Sequence, residues 1–117
     1  MSKLQTFITN NKAKIEEFQQ DYINNNVEAL KRPLQEFFGT LQNIVGLMKE
    51  YDLIDIEYNE LTAELTADAY TNDFDKQRDE VEKLSCQAEK YLLEKDIERN
   101  KQVLTNLIAT INIAKGV

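Results

Sequence analysis

Apolar residues recur along this chain at helical spacing, in three runs separated by two polar breaks. In the first run, Leu4, Ile8, Ile15, Phe18 and Tyr22 succeed one another at steps of four, seven, three and four, with polar Asn11 at the vacant seam position. Ser2 opens this run, because Ser2-x-x-Gln5 has the spacing of a capping box, in which two side chains satisfy each other's backbone N–H groups. Asn24-Asn25-Asn26 closes it, since asparagine tolerates left-handed backbone and favours turns. Asn26 is also a candidate cap for the second run.

Val27, Leu30, Leu34, Phe37, Leu41, Ile44 and Met48 form the cleanest heptad run. Pro33 lies inside it. Proline lacks an N–H and its ring crowds the preceding turn, so an unbroken helix there costs about 3 kcal/mol. The pattern predicts a short turn over 27–31 and then a helix with Pro33 in its first turn; a kinked continuous helix is the alternative. The stripe continues through Tyr51, Ile54, Tyr58, Leu61 and Leu65 after two successive steps of three, a slip that overwinds a coiled coil without requiring a break. One helix over about 33–67 is predicted, with Asp52 the place for any interruption.

Thr66 to Asp73 reads as the second turn, with Thr71, Asn72 and Asp73 as N-cap candidates. The third run then places Phe74, Val81, Leu84, Ala88 and Tyr91 on one face. After a phase shift, Leu93, Ile97, Leu104, Leu107, Ile111 and Ala114 carry it on. No proline or glycine interrupts 73–115, so a single helix is predicted, ended by Gly116.

The predicted fold is all-α: a single helical domain over 1–117, with helices at about 2–25, 33–67 and 73–115. These form an antiparallel three-helix bundle or coiled coil whose two long helices make a protruding hairpin. At 1.5 Å per residue the long helices span about 50–60 Å and the first about 35 Å. One end is then a bundle enclosing Phe37, Phe38, Leu41, Ile44, Leu104, Leu107, Ile108 and Ile111, and the other a hairpin with its tip near 66–73. The paired positions Phe37/Phe38, Ile44/Val45 and Leu107/Ile108 widen the stripe beyond a strict seam. A homo-oligomer is expected if the first helix covers only part of it.

Composition agrees with this pattern and adds a charge asymmetry. Three Gly and one Pro in 117 residues leave few connections. Residues 1–50 balance six basic against six acidic side chains, so residues 51–117 supply the whole net charge of −7. Within that half, 52–82 hold eleven acids against Lys76 and Arg78 alone. Affinity for phosphate rests on Lys and Arg, so no nucleic-acid partner is expected. No stretch approaches the roughly 20 apolar residues of a membrane span, so no membrane partner is expected either. Met1 to Thr6 has no apolar core of a signal peptide. With a single cysteine, Cys86, no internal disulfide forms, and a reducing, cytoplasmic location is the expectation.

The absence of histidine removes the zinc-protease, di-iron and histidine-based triad chemistries. Cys86, between Leu84 and Ala88, reads as a buried structural thiol. Asp73-x-Asp75-x-Gln77 with Asp79 imitates a calcium loop, but Arg78 stands where glycine is needed and Leu84 where a bidentate glutamate belongs. No cofactor, no metal and no catalytic residue is expected. The candidate partner-binding residues are Glu57, Tyr58, Glu60, Glu64, Asp68 and Tyr70. The three glutamates share a helical face at i, i+3 and i+7, where a basic partner would be met. The two tyrosines offer an aromatic surface near the tip.

Three stretches, Leu4 to Phe18, Leu34 through Tyr51-Asp52-Leu53-Ile54-Asp55-Ile56-Glu57, and Phe74 to Leu92, give the chain an order of features. A short amphipathic helix precedes a long helix with spaced leucines and an aromatic middle, then a third helix with an acidic-aromatic opening. This order resembles the N-terminal helical region of gag polyproteins from insect BEL/Pao-type retroelements. The resemblance rests on no invariant motif and leaves 93–117 without a counterpart. It implies an assembly or scaffold role and no catalytic residues. The residues themselves point to a non-catalytic helical interaction or assembly module, a scaffold or adaptor. The alternative is a small acidic inhibitor, chaperone or antagonist that fills a partner's basic groove.

Overall fold

The computed structural model describes residues 2–24 and 27–116. Three helices succeed one another: α1 (Lys3–Ile23), α2 (Glu28–Ala67) and α3 (Asp73–Ala114). They build an all-α hairpin and bundle 67 Å long and about 20 Å across. The helix α1 starts at the expected capping box: the Gln5 N–H donates to Ser2 Oγ and the Ser2 N–H to Gln5 Oε1, each at 3.1 Å. The second turn is capped by Asn72, whose side chain accepts from the Asp75 N–H at 2.9 Å. Asn25 and Asn26 lie outside the described residues, and Val27 occupies the N-cap position of α2.

The start of α2 corrects the expectation of a turn over 27–31. Glu28 to Arg32 are already helical, and Pro33 sits in the second turn of a continuous helix. Its missing N–H leaves the Ala29 carbonyl without its intrahelical donor. That cost is offset where Leu30 and Leu34 both bury against the bundle, Leu34 completely. Asp52 marks no break either. Its carboxylate accepts the Lys3 and Leu4 backbone N–H groups at 3.0 and 3.2 Å, which fixes the α1 N-terminus on the middle of α2.

Antiparallel packing of α1 on the first half of α2 gives the bundle end its core. Phe7, Phe18, Leu30, Leu34, Phe37, Ile44 and Met48 meet Ile97, Leu104 and Ile111 of α3. The rings of Phe18 and Phe37 pack edge to face with centroids 4.9 Å apart, and Phe38 joins at 5.1 Å. In α1 the buried residue is Phe7, where the heptad spacing places Ile8, which is 43% exposed. Phe7 and Phe18 lie eleven residues apart, close to three whole turns of a straight helix, so they share one azimuth. At the far end of α1, Lys115 Nζ reaches Asp21 at 2.6 Å and Glu17 at 3.4 Å, lashing α3 to α1.

The seam of α3 is the larger correction. Asp79, Cys86, Leu93, Ile97, Leu104 and Ile111 are buried, with Lys83, Lys90, Asn100 and Leu107 half-buried between them. These positions alternate in steps of three and four without a slip. The expected inner face points to solvent instead: Phe74 is 72% exposed, Val81 65%, Leu84 63% and Tyr91 59%. The reason is mechanical. Ile97, Leu104 and Ile111 lock the azimuth of α3 in the bundle. An unbroken helix then carries Val81 and Leu84 about 140–160° away from that direction. A phase shift would need a bulge or a proline, and the segment has none.

Candidate interaction surfaces

Beyond the α1 N-terminus, α2 and α3 continue as a two-helix hairpin, and the inverted phase of α3 fills its seam with polar groups. Lys90 Nζ bonds Asp55 Oδ1 at 2.6 Å and lies 4.5 Å from the ring centroid of Tyr58 and 5.4 Å from that of Tyr51. Lys83 Nζ also lies over the Tyr58 ring, 5.5 Å from its centroid. Gln87 Nε2 donates to the Tyr58 hydroxyl at 3.2 Å, and the Tyr51 hydroxyl donates to Glu94 at 2.9 Å. The hydrogen bond that Lys90 donates to Asp55 outweighs partial burial and holds the pKa of the Lys90 ammonium above its ordinary value. Burial, then the Glu94 contact, pushes Tyr51 up. Lysine stems and tyrosine faces thus do in this half what leucine does in the bundle.

The six candidate residues separate into two groups in this frame. Tyr58 and Tyr70 are half-buried and bonded within the chain. The Tyr70 hydroxyl donates to Asp79 Oδ2 at 2.7 Å; desolvation first, and then that carboxylate, pushes Tyr70 up to about 12. Asp68 ends α2 in the left-handed conformation, with φ of 49°, and pairs with Lys76 at 3.0 Å, so it serves the turn. Glu57, Glu60 and Glu64 remain on the surface, on one flank of α2. They form an acidic strip, and the two aromatic members of the expected patch belong to the seam.

Cys86 is buried beneath this strip, facing α2. Burial first, then the charges of Glu57 and Glu89, pushes its thiol up, so it stays protonated and unreactive at neutral pH. Among the described residues, no three acidic or thiol side chains are grouped to hold a metal ion, and no helix is long and apolar enough to cross a membrane. An open groove runs where α1 diverges from α3, lined by Thr6, Phe7, Asn10, Asp55, Lys101 and Thr105. Its walls mix charges of both signs with apolar side chains such as Met48, Ile56 and Ile108.

Periodicity alone assigns the outer face of α3 to the core and so misses it as a surface. Phe74, Val81, Leu84, Tyr91 and Leu92 stand along one side of the hairpin, with Ala88 among them, opposite α2 and beyond the reach of α1. Large apolar side chains outside and lysines inside reverse the ordinary distribution over about three turns or more of helix. The heptad spacing of the exposed set is visible in the sequence, but only its azimuth relative to Ile97 and Leu104 shows that it faces outward. Comparison of the chain with family models, with curated proteins and with solved structures finds no match.

Proposed function

We propose that the chain is a non-catalytic helical interaction or assembly module, a scaffold or adaptor, whose contact surface is the outer face of α3 in the hairpin. The observation that carries this reading is the exposure of Phe74, Val81, Leu84, Tyr91 and Leu92 in register on a helix whose other face is already packed. A row of this kind costs solubility unless another surface covers it. The bundle end supports the role by anchoring α2 and α3, so that the hairpin projects as a preformed arm. An assembly role is also what the resemblance of residues 4–92 to gag segments implies.

A second reading draws on the acidic strip. Glu57, Glu60 and Glu64 are exposed, on the side of the hairpin away from the apolar row, and suit a basic groove in an inhibitor or chaperone. The two readings separate in one experiment on the native complex, tracked by its size in extracts of the source cells. Replacing Val81 and Leu84 by Glu should release the chain from the complex, and reversing the three glutamates to Lys should leave it in place. Release by the lysine variant alone favours the acidic strip. Retention of both variants would remove the hairpin as the contact surface.

A further inference from the structure

The outer row of α3 is a second heptad run on a helix whose first run is already used. With Phe74 at a, the a and d positions are Phe74, Gln77, Val81, Leu84, Ala88 and Tyr91, three consecutive heptads. The charges beside this row are sorted by side. The g positions are Asp73, Glu80, Gln87 and Glu94; the e positions are Arg78, Ser85, Leu92 and Arg99.

In a parallel pair of helices, each g residue faces the e residue five places further along the other chain. For two copies of α3 in register, Asp73 meets Arg78, Glu80 meets Ser85, Gln87 meets Leu92 and Glu94 meets Arg99. Asp73 and Arg78 are of opposite sign within the apolar row, and Glu94 and Arg99 are of opposite sign just beyond its end. In an antiparallel pair, g faces g and e faces e. That sets Asp73 against Glu94 and leaves both arginines without an acid across the seam. The arginines are accessible for the parallel arrangement: Arg78 is 56% and Arg99 77% exposed, in ion pairs with acids of their own helix. Glu94 already accepts one hydrogen bond from Tyr51 through Oε1, and a carboxylate accepts several. Neither neighbouring helix stands in the way, since α2 packs on the opposite side and α1 lies against the far end of α3.

We propose that the occupant of this face is a second copy of the chain. The two α3 helices form a parallel, in-register two-stranded coiled coil from Phe74 to about Leu92, with each α2 on the outside. This rests on the reading of the outer row as the contact surface and names its partner.

The test is the molar mass of the full chain by sedimentation equilibrium across a wide concentration range. The wild type should rise from the 13.6 kDa of one chain toward twice that value. Val81→Glu or Leu84→Glu should move the midpoint to at least tenfold higher concentration. Leu53→Glu, equally exposed on the opposite flank on α2, should not move it. Arg78→Glu should weaken association several-fold, and adding Asp73→Arg to that variant should restore it. Orientation is read separately: with Cys86→Ser, a thiol placed by Ala88→Cys should cross-link copy to copy on mild oxidation. All these positions except the buried Cys86 are exposed, and circular dichroism checks that each variant stays helical.

A mass of one chain throughout the range overturns the proposal, as does a dimer indifferent to Leu84→Glu. A cross-link that forms only between copies carrying Gln77→Cys and copies carrying Ala88→Cys overturns the parallel arrangement. A monomeric chain whose Leu84→Glu variant still drops out of the native complex removes the homodimer and leaves the interaction role standing.

Discussion

Tyr70 and Asp79 hold the hairpin turn against the first turns of α3 through a 2.7 Å hydrogen bond, and Asp79 is buried. The folded protein keeps Tyr70 neutral up to about 12, against an ordinary value of 10.0. Its contribution to stability is therefore whole below pH 10 and is lost as pH rises toward 12. Tyr70→Phe should lower the denaturant midpoint at pH 8, and the gap to the wild type should close over pH 10–12. An ultraviolet titration should show Tyr70 ionising late, and the substitution should remove that step. A gap independent of pH would contradict the bond. Tyr70 is legible in the sequence as a residue with a polar tip near the turn. Its use inside the chain is not, because that depends on Asp79 being turned inward.

Among the elements, α2 carries two local costs that the sequence displays openly. Pro33 deletes a hydrogen bond in its second turn, and Gly39 and Gly46 weaken it without serving a close approach. A Cβ built at either glycine meets nothing within 4 Å. Gly39→Ala and Gly46→Ala should each stabilise the chain by up to about 1 kcal/mol, measured by chemical denaturation. A loss of stability would mean that another surface lies against that flank of α2. The docking of α1 is the opposite case. Asp52→Ala leaves the Lys3 and Leu4 N–H groups without their acceptor and should cost about 1 kcal/mol, the worth of a helix cap. Faster hydrogen exchange confined to α1 would locate the loss, and unchanged exchange there would contradict it. Caps and turns such as Ser2–Gln5 and Asn72 are readable because they depend on neighbours within four residues. The start of α2 is misread from sequence because proline's local cost is weighed without the burial of Leu30 and Leu34, which only the assembled bundle supplies.

For the whole molecule, the bundle and the hairpin obey one constraint: a rigid helix has a single azimuth. The pattern of Leu, Ile and Phe reveals three helices, their antiparallel order and the acidic tip. It also suggests that every apolar run along α3 belongs to one core. Packing of Ile97, Leu104 and Ile111 against α1 and α2 decides otherwise, and it turns Val81 and Leu84 outward about 20 Å further along the rod. The candidate surface is therefore legible as a set of residues and illegible as a surface, since periodicity defines faces without saying which one is covered. Cys86 and Leu84, two residues apart, have opposite fates in this arrangement, and a thiol placed at position 84 makes both readable in one molecule. In Leu84→Cys, mass-resolved alkylation of dilute protein at neutral pH should label position 84 at the rate of a free thiol and leave Cys86 nearly untouched. Rapid labelling of Cys86 with protection of position 84 would place the apolar row inside the hairpin and contradict the account.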